Sequence, residues 1–336
     1  METILLLAHT EEDESLARPA LEALAAARNF GGKLHVGLVG AKVAAAAEIV
    51  AGAGAARILA VAGLPFAQPR YSTDAAAAEA ICRASGAPII IAPTTSRWSR
   101  ALPGLAYRLG GRVDTHATAF AIQNGVPAVT RWFYRQRMEA TLTRSQRPWI
   151  VLLDAGCVPP WSAAPGSANV EPVAVNVAES RTTVTGTRSP EAGEQTIRPD
   201  AKLLFVAGAG WTKKQGDGAT HTAEAETLIL DFLRISQASL GGSKSLVDLT
   251  GEGEAVLRFM THLNQIGQTG ATPRHPKGLS TCCHGEEPHA VGWRFIGQRR
   301  AVNLDANCGW ARGKADVLYV ADAFEVMREV NALLVG

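Results

Sequence analysis

The residues of this chain best suited to chemistry come late and in short clusters. Gly267-Gln268-Thr269-Gly270 sets an amide and a hydroxyl between two flexible hinges. Such a pair can hydrogen-bond a flavin N5, a ring carbonyl or a ribityl chain while the backbone folds tightly. Ala207-Gly208-Ala209-Gly210 follows a strand-like run, and glycine there lets backbone N–H groups approach a phosphate or a flavin ring. The third glycine of a dinucleotide fingerprint is missing, because Lys213 holds its place. Gly241-Gly242-Ser243-Lys244 reads as a second glycine turn. It ends in a hydroxyl and a fixed positive charge, suited to a cofactor that gains negative charge on reduction. Asn303-Leu304-Asp305 and Asp322 follow short apolar runs, where a ribose or adenine contact is at home. Asp322 also fits the N-cap of a helix opening at Phe324. Each cluster, taken alone, is an ordinary polar turn.

Thr281-Cys282-Cys283-His284-Gly285-Glu286-Glu287-Pro288-His289 is the densest group of reactive side chains. Cys, His and Glu all ligate metals, but adjacent cysteines seldom serve one tetrahedral zinc and no CxxC arm is present, so no metal site is expected. The better reading is a loop in which His289 donates to a polar group. The other histidines are scattered and receive no chemistry. No Ser–His–Asp order, HExxH or Walker A sequence occurs in a supporting context.

The elements that must position these clusters follow from apolar periodicity. The chain of 336 residues, 47% hydrophobic and 19% charged, can bury two cores. A net charge of +2 leaves no nucleic-acid footprint. The opening segment lacks a basic flank and a long apolar run, so neither a signal peptide nor a transmembrane segment is expected and the compartment is cytoplasmic. The five cysteines read as reduced thiols. Strand-like runs at Ile4–Ala8, Leu34–Val39, Arg57–Ala62 and Pro88–Ala92 alternate with helical stretches at Leu16–Arg28, Ala41–Ala51 and Thr73–Ser85. That spacing predicts βαβ units and a largely parallel sheet. Val126–Phe133, Met138–Thr143 and Trp149–Leu153 suggest an antiparallel extension at the sheet edge. A polar stretch follows, with one strand near Val170–Val177. The α/β pattern then restarts: a strand at Lys202–Val206, a helix at Thr222–Ile235 capped by Thr222, strands at Val291–Ile296, Ala301–Asn303 and Val317–Val320, and a last helix over Phe324–Leu334. The fold class is therefore α/β, with two nucleotide-binding-type domains of mostly parallel sheet. They span 1–165 and 200–336, with a linker at 166–199.

The order of the clusters says more than any one of them. Gly208-Ala209-Gly210, Ser243-Lys244, Ile266–Gly270, Cys282–His289, Asn303-Leu304-Asp305 and the run from Ala315-Asp316 to Asp322-Ala323-Phe324 resemble the FAD domain of electron transfer flavoprotein α subunits. In the first half, Ala92-Pro93-Thr94-Thr95 and Tyr107-Arg108-Leu109-Gly110 resemble the same family. Several residues depart from its pattern. Ala209 and Lys244 stand where the family has arginine, Cys282-Cys283-His284 replaces Gly-Ile-Ser, Pro288 replaces glutamine, and Leu304 replaces lysine.

The resemblance implies a redox carrier that binds FAD and pairs with an electron transfer flavoprotein β subunit, which commonly holds AMP. The N-terminal domain would contact that subunit. Electrons would arrive from a donor dehydrogenase and leave toward an acceptor such as a quinone oxidoreductase. On this reading Lys244 stabilises the reduced, anionic flavin, and Gln268 and Thr269 hydrogen-bond the isoalloxazine or ribityl. Gly208, Ala209, Gly210, Gly267, Gly270 and Ser243 line the pyrophosphate and ring. Cys283, His284, Gly285 and His289 approach the flavin, His289 through its C2=O or ribityl, and Asn303, Asp305 and Asp322 take the adenosine end. Two other readings stand beside it: a scaffold subunit with lost or altered flavin binding, and an independent flavin-dependent oxidoreductase.

Overall fold

A computed structural model describes the chain except for residues 1, 135–137, 178–181, 187–196, 199–200, 249–255, 268–269, 282–294, 309–313 and 336. Contacts divide it into two compact units, Met1–Thr187 and Arg188–Gly336.

The first unit is built on β1 (Ile4–His9), β2 (Leu34–Gly40), β3 (Arg57–Ala62), β4 (Ile89–Pro93), β5 (Arg112–Gln123), β6 (Val126–Phe133), β7 (Met138–Leu142), β8 (Trp149–Leu153) and β9 (Val170–Pro172). They form one sheet in the order β7-β6-β5-β8-β4-β1-β2-β3-β9. Its helices are α1 (Arg18–Asn29), α2 (Ala44–Gly52), α3 (Tyr71–Ser85) and α4 (Ser96–Arg108). β1 is apolar on both faces because both are covered. Ile4, Leu6 and Ala8 join the core formed with α1 and α2, while Leu5 and Leu7 join the core formed with α3 and α4. Alanines on the inner sides of α1 and α3 let these helices lie close on the sheet. α3 stops at Gly86, whose φ of 63° is the left-handed C-cap that glycine takes without strain.

Two features of this unit differ from the sequence expectation. Trp149–Leu153 is not part of the antiparallel extension. As β8 it runs parallel to β4 and β5 inside the sheet. Five consecutive buried residues need cover on both faces, which an edge does not provide. The antiparallel part is β5-β6-β7. α4 was hidden by Pro103 within it, although Thr95 caps it by accepting from Trp98 N.

The second unit has β10 (Leu203–Ala207), β11 (Ser239–Gly242), β12 (Lys277–Thr281), β13 (Gln298–Asn303) and β14 (Val317–Val320), with helices α5 (Thr222–Ser236), α6 (Lys244–Asp248) and α7 (Ala323–Val335). All strand pairs are parallel, in the order β11-β10-β12-β13-β14. Phe205 and Ala207 pack with the three helices on one face. Leu204 and Val206 meet Ile266, Ile296 and Cys308 on the other.

Here, too, the sequence reading needs correction. Gly241 and Gly242 are not a turn: they are the buried end of β11. A Cβ on Gly241 would lie 2.9 Å from Ile266 Cγ2, and one on Gly242 would lie 2.2 Å from Met260 Cε, so close packing explains both glycines. Thr222 does not cap α5; the N-cap is His221, which makes no side-chain capping bond. β12 escaped notice because Lys277-Gly278-Leu279-Ser280-Thr281 has one large apolar residue, and its buried places are filled by Gly278, Ser280 and Thr281. The strand expected over Val291–Ile296 lies mostly outside the described residues, and Phe295 and Ile296 are not in a strand.

The junction between the parallel and antiparallel parts of the first sheet is organised by one buried carboxylate. Asp114 on β5 is 1% exposed. It accepts from Arg131 Nη1 at 3.1 Å, Arg144 Nε at 2.9 Å and Trp149 Nε1 at 2.9 Å. Burial works to raise its pKa, but the bonds from Arg144, Trp149 and Arg131 outweigh it and hold the carboxyl below its ordinary value. The depressed folded value gives stability that is complete above about pH 4 and lost as the pH falls below it. Asp114→Ala leaves buried donors without their acceptor and is expected to cost about 3–5 kcal/mol in urea unfolding at pH 7. The loss should shrink when the same measurement is made at pH 3.

Candidate functional site

In an open parallel sheet, ligands lie outside the carboxyl ends of the strands, at the point where strand order reverses. In the second unit that point falls between β10 and β12, because β11 lies on one side of β10 and the later strands on the other. The described clusters singled out from the sequence all reach this one edge. Gly208 follows β10, and Ala209 and Gly210 form a buried turn of 3-10 helix, Ala209–Thr212. The Gly208 N–H donates to Thr281 O at 2.9 Å, which carries the β10–β12 ladder one step past the strands.

Ser243 follows β11 directly and is buried, and its Oγ accepts from Leu246 N at 3.2 Å. Lys244 opens α6, half-exposed, with Nζ 3.3 Å from Asp248 Oδ2. The Gly267–Gly270 turn lies beside the same strand end. Gln265 bridges Gly242 in parallel, and Gly267 has a φ of 112°. Gly267 N donates to Ala271 O at 2.8 Å and Gly270 N to Gly267 O at 3.2 Å, so the turn is closed on itself. The side chains it was singled out for, Gln268 and Thr269, lie outside the described residues, as do Cys283, His284, Gly285 and His289.

At the other end of the edge, Asn303 closes β13, and its Oδ1 accepts from Asp305 N at 3.0 Å. Asp305 Oδ1 in turn accepts from Asn307 N at 2.8 Å. Asp322, after β14, caps α7 by accepting from Phe324 N at 2.7 Å and Glu325 N at 3.2 Å. The described part of the edge is thus sorted by chemistry. A hydroxyl, an ammonium and glycine backbone stand by β11 and β10, and two carboxylates stand by β13 and β14. Phosphates and a ring that becomes anionic suit the first end. Hydroxyl donors such as a ribose suit the second. This donor set fits a long, phosphate-bearing, hydroxyl-rich cofactor, with Lys244 already carrying a counter-ion of its own.

Sequence reasoning missed Trp211 and gave Thr281, the first residue of the Thr281–His289 cluster, no role of its own. Trp211 is fully buried, and its Nε1 donates to Thr281 Oγ1 at 2.8 Å. The partners are 70 residues apart, and no local pattern announces such a bond.

The first unit has its own reversal of strand order, between β1 and β4. His9 ends β1 with Nε2 3.2 Å from Thr95 Oγ1. Burial, aided by the nearby Arg97 charge, pushes its imidazole down to about 4. The ring is therefore neutral at pH 7, and its 3.6 Å contact with Glu11 is not an ion pair there. Among the described residues no helix is long and apolar enough to cross a membrane. Because the unfolded chain binds the His9 proton more readily, stability should fall as the pH drops from about 6.5 to 4, by ~3 kcal/mol. His9→Asn should flatten that slope in urea titrations. A ring resonance of His9 that titrates near pH 6.5 in the folded protein would contradict this account.

A family model, Electron transfer flavoprotein domain, matches residues 4–180, more than half of the chain. No match was found among curated proteins.

Proposed function

Because this chain belongs to the electron transfer flavoprotein family, we propose that it is the FAD-binding α subunit of a heterodimeric carrier. It takes electrons from a dehydrogenase and hands them to an acceptor such as a quinone oxidoreductase. The observation that carries this reading is the sorting of the carboxyl edge in the second unit. Ser243, Lys244 and the Gly208–Gly210 turn gather by β11 and β10, while Asn303, Asp305 and Asp322 gather by β13 and β14.

On this reading FAD supplies the redox chemistry, and the chain's residues bind and orient it. Glycine backbone and Ser243 face the pyrophosphate, Gln268, Thr269 and His289 reach the ring or ribityl, and Asn303 and Asp322 receive the adenosine hydroxyls. Each donor keeps a structural duty at the same time. Ser243 and Asp322 begin helices, and a carboxylate that caps a helix through Oδ1, as Asp322 does, has a second oxygen to offer. Lys244 favours the reduced, anionic ring, with Asp248 at 3.3 Å moderating its field. A β subunit, with AMP of its own, completes the cleft and docks on the first unit.

The purified α/β pair is expected to show flavin absorption in the visible and to release FAD in acid; a colourless pair would leave the scaffold reading. Lys244→Ala should lower the flavin's two-electron reduction potential by roughly 30 mV, equivalent to ~1.4 kcal/mol. Asp248→Asn, which frees the lysine charge, should move it upward. Spectroelectrochemical titration of the three proteins checks both signs, and an unchanged potential in Lys244→Ala removes that lysine from the site.

A further inference from the structure

We propose that Trp211 is a positioning residue for the cofactor, fixing the glycine turn after β10 against the end of β12 and the start of α7. The inference rests on the FAD reading above and adds a residue to it. The indole is fully buried in the 3-10 turn that follows β10. Its Nε1–H donates to the Thr281 hydroxyl at 2.8 Å. That hydroxyl donates onward to Val206 O at 3.3 Å, so the bond ties the last residue of β12 to β10 through side chains. The ring also packs on Phe324 in the first turn of α7, with centroids 4.6 Å apart at 59°.

Each group in this chain of contacts adjoins a segment assigned to the cofactor. Trp211 follows Gly210, Thr281 precedes Cys282, and Phe324 follows Asp322 by two residues. One side chain therefore couples the glycine turn, the end of β12 and the helix that Asp322 caps. A polar bond is used where an apolar contact would fill the same space. The backbone ladder sets the spacing of the two strand ends, and a buried N–H with a single acceptor fixes the turn above them in distance and direction, whereas apolar packing tolerates sliding. A cofactor that touches the glycine turn and the Asp322 cap binds tightly only if they are spaced before it arrives.

A double-mutant cycle on the α/β pair tests the idea. Trp211→Phe keeps an aromatic ring against Phe324 and loses the donor, and Thr281→Val keeps the shape of the side chain and loses the acceptor. Each is expected to weaken FAD binding about tenfold and to alter the visible circular dichroism of the bound flavin. Thr281→Val also loses the bond to Val206 O, so the shared indole–hydroxyl bond is read from the cycle: the double variant should lose less than the sum of the two single ones. A purely structural role would lower the melting temperature while leaving the FAD dissociation constant and the dichroism of the folded pair unchanged. That result overturns the proposal, as does additive loss in the double variant. If the parent pair binds no FAD, the cofactor reading falls and this one with it. If the parent binds FAD and both single variants match it, only the role of Trp211 falls.

Discussion

A strand buried between two parallel neighbours has no free side, so it can offer chemistry only where it ends. β10 is in that position, paired with β12 along its whole length and with β11 over Leu204–Ala207, and β1 lies likewise between β2 and, over Ile4–Leu6, β4. Helices and loops cover the faces with apolar side chains, and backbone pairing consumes the strand edges. What remains is the row of carboxyl ends, where chains leave the sheet and turn into helices. The clusters separated by up to 114 residues of sequence, from Gly208 to Asp322, meet there for that reason. The same constraint requires that each polar group at the edge also close a strand or begin a helix, as Asn303, Ser243 and Asp322 do.

Much of this was legible in the amino-acid sequence, and the reason differs from element to element. β10 announced itself as a continuous apolar run, and the first βαβ units did so through alternation of such runs with alanine-rich helices. β12 did not, since its buried residues are a glycine, a serine and a threonine whose polar groups are satisfied by neighbouring chain. β8 was recognised as a strand but assigned to the wrong place, because pairing direction is a tertiary property that a five-residue run does not carry. Gly241 and Gly242 looked like a turn because glycine signals both turns and close approach, and only the position of Ile266 and Met260 decides between them. The order of the clusters that reach the carboxyl edge was readable. The Trp211–Thr281 bond was not, as it joins two segments that meet only after both strands are paired.

The two units contribute unequal kinds of knowledge. The family match covers residues 4–180, and so speaks for the first unit, with its neutral His9 and its Asp114 junction. The second unit speaks through its topology and through the sorting of charge along one edge. Lys244 shows why such sorting must be read with its neighbours: a lysine facing an open edge alone would project a full charge, and with Asp248 beside it the projected field is weaker.

The crowding around β11 sets which positions in this region are free to vary. The backbone at Gly241 has no room for a methyl group beside a stiff isoleucine, and the backbone at Gly242 gains room only if the flexible end of Met260 withdraws. Two residues later, Lys244 is half in solvent. A library randomised across 241–244 would accordingly lose most of its folded members to the first letter and fewer to the second. It would keep nearly the full range of side chains at the fourth. The strand acts as a rigid stem whose tip alone can be rewritten, so the charge at the head of α6 can be exchanged at 244 without renegotiating the sheet beneath it.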